Sequence, residues 1–285
     1  CALPICCHWD SSVCIVAKGT FGTLNHGRCV VPNLPWVLVM NRFPWRLRAS
    51  WWLMARTTPW LRSSQEAYFE CIEFLVRPEI RILDIGCGKE FLMQWLRPDL
   101  YRRWSKSITG VARIFGIDPN LASLQRNPSP LNACAFATQI SFRELTFDLV
   151  TANMVVEHLP DPDRVLSEVF RVLKPGSAFI FHTPNLRAPQ VRLSSVLPYS
   201  LKRRIVPLIE GGRCEDDVFP THYKLNDQST IESCAIRAGF RVEWVRHVFT
   251  APLSQMLGPL VIFELLLIKL FHAERFSAWR PDLIC

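Results

Sequence analysis

The stretch RILDIGCGKEF (residues 81–91) joins a short apolar run of buried-strand type to a glycine loop. Asp84-x-Gly86-x-Gly88 resembles the start of a phosphate-binding fingerprint, but Glu90 stands where a dinucleotide loop carries its third glycine. A pyrophosphate needs closely packed amide donors at a helix N-terminus and is repelled by a carboxylate there. Here Asp84 precedes the loop and Glu90 follows it. That pair disfavours a dinucleotide and suits a ligand carrying a cationic amine and a sulfonium beside a ribose.

Strands and helices alternate outward from this stretch. A helix through EFLMQWLRP (90–98), a strand at VARIFGID (111–118) and a short helix near NLASLQRN (120–127) follow. Next come a weaker strand at CAFATQI (134–140), a strong one at FDLVTAN (147–153), and an amphipathic helix at DPDRVLSEVFRVLKPG (161–176). That helix is N-capped by Asp161 or Asp163 and stopped by Lys174-Pro175-Gly176. SAFIFHTPN (177–185) is a further strand, and a helix at 226–240 and a strand at 241–249 follow. Ahead of the loop, SSQEAYFECIEFLVRP (63–78) has helical spacing, with Ser63 or Ser64 as N-cap. Such alternation predicts an α/β fold, a doubly wound, mostly parallel sheet with helices on both faces.

In open sheets of this kind, ligands bind beyond the carboxyl ends of the strands. Gly86 and Gly88 follow the first strand, where they let backbone pass close under a ligand. Asp118 follows the second and can accept both hydroxyls of a ribose. ANMVVEHLPDP (152–162) and HTPN (182–185) follow the later strands. S-adenosylmethionine answers this description.

LDIGCG, GIDPN, FDLVTANMVVEHLPDPDRVLSEVFRVLKPG and TPN together resemble a class I, seven-stranded, Rossmann-like S-adenosylmethionine-dependent methyltransferase of the small-molecule, glycan- or lipid-modifying kind. The resemblance covers about residues 64–250. It implies that Asp84, Gly86, Cys87 and Gly88 hold the methionine portion of S-adenosyl-L-methionine. Asp118 would take the ribose hydroxyls and Pro119 would lie against the adenine. Asn153 and Met154 would border the cofactor, with Glu157 and His158 on the substrate side. The interval from Asp84 to Asp118 is longer than usual in the family, so RPDLYRRWSKSITG reads as an inserted loop. The family's adenine-binding aspartate has its counterpart near Phe136, which cannot accept that hydrogen bond.

Methyl transfer to oxygen requires a nucleophile aligned with the carbon–sulfur bond and a base for its proton. His158 is the candidate base, with Glu157 orienting its ring or binding backbone amides. Packing is the simpler reading of His182. The long segment 186–226 is expected to form a lid, with Arg213, His222 and Tyr223 as substrate contacts. The receiving atom is expected to be an oxygen, or else a nitrogen or carbon, of a small molecule, a glycan or a lipid-like compound. Two alternatives stay open: a cofactor-binding protein with little or no activity, and a nucleic-acid methyltransferase. The amino-methylating enzymes of the latter class carry DPPY or NPPF after the fourth strand, where this chain has ANMVVEHLP, which counts against base methylation of that kind.

Composition narrows the setting. Of 285 residues about half are apolar, and the formal charge of +8 comes from scattered basic residues, LKRR (201–204) being the densest run. This reads as solvated surface, so no nucleic-acid partner is expected. The eleven cysteines contain no CxxC pair, which leaves a zinc site without support and suggests buried thiols in a reducing, cytoplasmic compartment. No apolar run reaches about 18 residues, the length of a membrane span. The apolar helix 257–271 would cap the sheet edge or lie on a membrane surface. Residues 1–53 hold five of the ten tryptophans without a persistent period, so they are expected to stand outside the core, with the methyltransferase domain over 54–285. The first residue is Cys1, and RPDLIC starts a strand-like run at the other end. Both termini therefore read as fragment boundaries, with an antiparallel last strand cut short.

Overall fold

A computed structural model describes residues 15–17, 45–89, 108, 110, 112–127, 129, 131–198, 200–201, 219–250, 252 and 258–285. The expected helix at 90–98, most of the inserted loop, and Arg213 with the middle of the expected lid lie outside them. The strands are β1 (Ile15–Ala17), β2 (Arg81–Ile85), β3 (Arg113–Asp118), β4 (Asn132–Cys134), β5 (Phe147–Asn153), β6 (Leu173–Pro184), β7 (Arg246–Val248) and β8 (Asp282–Ile284). The helices that matter below are α1 (Trp45–Thr57), α2 (Ser64–Leu75), α3 (Leu121–Leu124), α4 (Pro162–Val172), α5 (Pro189–Ser195), α6 (Gln228–Arg237) and α7 (Val261–Phe271).

The sheet runs β4-β3-β2-β5-β6-β8-β7, with β1 added antiparallel beside β6. β4, β3, β2, β5 and β6 are mutually parallel, and β8 is inserted antiparallel between β6 and β7. The winding direction reverses between β2 and β5, which pair side by side with Asp84 opposite Thr151. A crevice opens at such a point beyond the carboxyl ends of the strands.

Strand residues alternate between two apolar layers, as the period of two requires. Leu83, Val150, Ala152, Phe179 and Phe181 face Val165, Leu166 and Val169 of α4 and Ile231 and Ala235 of α6. Ile82, Leu149, Ala178 and Ile180 face Tyr68, Phe69 and Ile72 of α2. Each of these large side chains, buried fully, contributes about 1.5–3 kcal/mol. Helices therefore cover both faces, as the continuous apolar strands demand.

Local signals set the helix ends. Ser63 caps α2 by accepting the Glu66 N–H at 3.2 Å, and Asp161 caps α4 by accepting the Arg164 N–H at 3.2 Å, with Pro162 in the first turn. α4 ends at Val172, earlier than Lys174-Pro175-Gly176 suggests, because the chain already pairs at Leu173 with Phe147. β4 is three residues at 132–134 rather than a strand over 134–140, since it pairs with β3 only through Gly116–Asp118. Of the alternating run 241–249, Arg246–Val248 forms a strand, matching the three residues of β8. α1 runs through position 53/54 and packs on α7.

Candidate active site

The loop after β2 is shaped by two glycines in left-handed backbone, Gly86 at φ +71° and Gly88 at φ +52°. A Cβ on Gly86 would stand 2.3 Å from Val155 Cγ2, so the loops leaving β2 and β5 touch at the switch point. The Gly86 and Cys87 amides both donate to the Ile117 carbonyl, at 2.8 and 3.2 Å. Cys87 points inward and is buried against Gly116, where a Cβ would lie 2.5 Å from its sulfur. Burial, followed by the charges of Asp84 and Asp118, pushes the Cys87 thiol far up. The same two carboxylates make the loop a region of negative potential. Asp84 itself is buried and accepts the Thr151 hydroxyl at 2.8 Å.

Asp118 ends β3 beside this loop. Its Oδ2 accepts the Gly88 N–H at 3.0 Å and its Oδ1 accepts the Asn120 N–H at 2.7 Å. Asn120 caps α3 by accepting the Ser123 N–H at 3.1 Å, and Asn127 donates to the Gly88 carbonyl at 2.9 Å. The carboxylate is thus held between two amides while each oxygen keeps lone-pair capacity for hydroxyl donors. Pro119 is exposed next to it, and Phe136 beyond β4 is 68% exposed. The segment after β4 is fastened to α4, where Arg171 donates to the Ile140 and Phe142 carbonyls at 2.8 and 2.9 Å and pairs with Glu168.

At the end of β5 the Asn153 side chain is already engaged. Its Nδ2 donates to Gln65 Oε1 at 2.9 Å, and its Oδ1 lies 2.9 Å from Nδ1 of the buried His182, the residue opposite it in β6. Met154 follows in left-handed backbone, φ +55°, and its amide donates to the His182 carbonyl at 2.9 Å. Gln65, from the first turn of α2, carries no motif in the sequence; only its place beside the Ser63 cap hints at it.

A short 3₁₀ turn, Val156–His158, follows. Glu157 is buried; its Oε2 accepts the Thr183 hydroxyl at 3.1 Å, and Thr183 in turn accepts from Asn226 at 2.8 Å. Burial pushes the Glu157 carboxyl up to about 7, against the lowering pull of amide and hydroxyl donors and of His182. The Glu157 carbonyl accepts the amides of His222 (2.7 Å) and Tyr223 (3.1 Å), which fastens the end of the segment expected to form a lid to this turn. His158 Nδ1 lies 2.7 Å from the Pro220 carbonyl, which can only accept. Nδ1 therefore carries the proton, and in the neutral ring the basic nitrogen is Nε2, 3.9 Å from Glu157 Oε1. His222 is exposed, and Tyr223, in left-handed backbone, has its phenol raised by burial. Asp84, Gly86, Cys87, Gly88 and Asp118 lie together at the carboxyl ends of β2 and β3, and Glu157, His158, His222 and Tyr223 meet around the turn after β5.

Residues 60–245 match the methyltransferase domain family. The chain belongs to that family. The class I, S-adenosylmethionine-dependent methyltransferase expected from the sequence is borne out, with its α/β sheet and S-adenosylmethionine as cofactor. The methyltransferase is 31% identical over 138 residues to a ubiquinone biosynthesis O-methyltransferase of Alkalilimnicola ehrlichii, covering 45% of this chain and 50% of that protein. It is 28% identical over 138 residues to the protein of that name from Pseudomonas putida, covering 45% and 53%. The match thus spans about half the length of these curated relatives. Among solved structures, an S-adenosylmethionine dependent methyltransferase from Mesorhizobium loti is similar at 19% identity and a TM-score of 0.47, over 76% of this chain and 95% of that one.

The residues of this methyltransferase fit that cofactor. The carboxylates of Asp84 and Asp118 on either side of the loop suit a sulfonium and an ammonium, and would repel a pyrophosphate. Asp118, clamped by Gly88 and Asn120, matches a pair of vicinal hydroxyls. Among the described residues no cluster of metal-ligating side chains occurs, and no helix is long and apolar enough to cross a membrane.

Proposed function

We propose that this methyltransferase transfers the methyl group to an oxygen of a small-molecule acceptor. The observation that supports methyl transfer most strongly is the clamp on Asp118, set beside a glycine loop that follows the Asp84 carboxylate. Bound S-adenosylmethionine supplies a methyl group already activated by positive sulfur. The chain's task is then to orient the ribose through Asp118, accept the methionine portion over Gly86–Gly88, and receive the acceptor's proton.

His158 Nε2 takes that proton in this reading, because the Pro220 carbonyl holds the proton on Nδ1. Glu157 acts as a positioning residue. Its carbonyl fixes residues 222 and 223, and its buried carboxyl is held by Thr183. Asn153 borders the site through its backbone, its side chain being committed to Gln65 and His182. Arg213, His222 and Tyr223 are the candidate contacts to the acceptor. The names of the O-methyltransferase relatives support oxygen as the receiving atom. The described cysteines, all free thiols, are in keeping with a cytoplasmic setting.

Incubation with methyl-labelled cofactor and a panel of phenols, catechols and sugar alcohols tests the reading. Label in an ether product is expected. A second reading, cofactor binding without turnover, is favoured by exposed Phe136 at the place of the family's adenine-binding carboxylate. Tight cofactor binding with no labelled product across the panel would establish it instead.

A further inference from the structure

Helices α1 and α7 form a small unit beside the sheet. Val261, Leu265 and Ile268 are buried on α7 and pack with Leu53 and Met54 of α1 and with Phe249. The Ser50 hydroxyl donates to the Gly258 carbonyl at 2.9 Å, and the Trp60 and His272 rings lie 3.9 Å apart beyond the helix ends. This packing uses one stripe of α7. A second stripe, Phe263, Leu266, Leu267 and Leu270, repeats at helical spacing and is 53–66% exposed. A surface helix ordinarily turns polar residues outward, and α7 turns this apolar stripe outward as well, with exposed Lys269 and half-buried Glu264 beside it.

The outer face of α1 has complementary chemistry. Trp45 and Trp52 are exposed on it, with Arg48 between them and Arg56 one turn beyond Trp52. The Arg56 guanidinium lies 4.9 Å over the Trp52 ring. α1 contains Arg46, Arg48 and Arg56 and no acidic residue. Tryptophan at a headgroup boundary and arginine against lipid phosphates are the pairing that an anionic membrane surface selects.

Other occupants fit less well. The 11 residues of α7 extend about 16 Å, too short for a hydrocarbon core of about 30 Å. A two-fold contact between copies would bury the arginines of α1 with no acid on that helix to pair them. We infer that α1 and α7 together dock this chain on an anionic lipid bilayer, the Phe263–Leu270 stripe entering the acyl boundary while Arg48 and Arg56 meet the phosphates. This stands independently of the methyl-transfer reading.

Sedimentation of the full chain with vesicles tests it. Vesicles of equal parts phosphatidylglycerol and phosphatidylcholine should carry the chain down, less so at high salt, and pure phosphatidylcholine should not. Leu267→Glu/Leu270→Glu and, separately, Arg48→Glu/Arg56→Glu should each lower partitioning at least about tenfold. Retained binding of S-adenosylmethionine by both variants serves as the check that they are folded. If either pair unfolds the chain, Leu267→Ser and Arg56→Gln replace it. Absence of the wild-type chain from the anionic pellet at low salt would overturn the inference, as would variants that sediment like wild type. A concentration-dependent dimer abolished by Leu267→Glu, without vesicle binding, would assign the face to a second copy instead.

Discussion

The Gly88 amide donates to Asp118 Oδ2 at 3.0 Å, which ties the loop after β2 to the carboxylate after β3. With the Asn120 amide on the other oxygen, the carboxylate is oriented before any ligand arrives. Preorganisation of this kind spares a ligand the cost of ordering the group that binds it.

Gly86 is required on two counts: its φ of +71°, and the 2.3 Å that would separate an added Cβ from Val155 Cγ2. Gly86→Ala should cost about 1–2 kcal/mol for the left-handed backbone alone, plus overpacking against Val155. In chemical denaturation, Gly86→Ala/Val155→Ala should recover the overpacking part and leave the backbone part. An unchanged midpoint for Gly86→Ala would refute this picture of the loop.

Glu157 predicts a pH dependence of stability. Its carboxyl is pushed up to about 7 in the fold, from an ordinary value of 4.5, so the folded state holds the proton more tightly. Its contribution is therefore fully present below about pH 4.5 and is lost as pH rises through about 7, for a total of about 3 kcal/mol. Glu157→Gln, which can still accept from Thr183, should remove this component. The wild-type and variant denaturation midpoints should diverge between about pH 5 and pH 8, with the variant the more stable at the upper end. Parallel curves would show that Glu157 does not hold its proton this way.

Much of this was legible in the sequence because local pattern and global fold agree. FDLVTAN forms β5 at 147–153, and Ser63 and Asp161 cap the helices their positions suggest. The glycine loop and Asp118 could be placed because both directly follow apolar strands. The contacts around Asn153 could not. Gln65 lies 88 residues away, and its pairing depends on how α2 settles over the end of β5. The short lengths of β4 and β7 were hidden too, since a strand extends only as far as its neighbour does. Alternation at 241–249 reports a half-buried surface rather than a full ladder.

His158 offers a kinetic prediction. Loss of a general base typically costs about 10²–10⁴ in rate. His158→Ala should lower kcat within that range on a hydroxyl acceptor while leaving the cofactor Kd near wild type. Wild-type turnover by the variant would remove His158 from the chemistry.

Arg171 pins the segment after β4 through the Ile140 and Phe142 carbonyls. Arg171→Ala should cost about 1–3 kcal/mol, as those acceptors and Glu168 lose a charged donor. Arg171→Lys should recover little, because an ammonium cannot reproduce the guanidinium fork. Full recovery in a thermal melt would contradict the assigned geometry.

The most direct test is calorimetric titration of S-adenosylmethionine into the full chain and into Asp118→Ala, with circular dichroism confirming that the variant is folded. Hydrogen bonds to a charged partner are worth about 1.5–3 kcal/mol. The Kd should therefore rise at least about tenfold when the carboxylate is removed. An unchanged Kd in a folded Asp118→Ala chain would contradict the placement of the cofactor on Asp118.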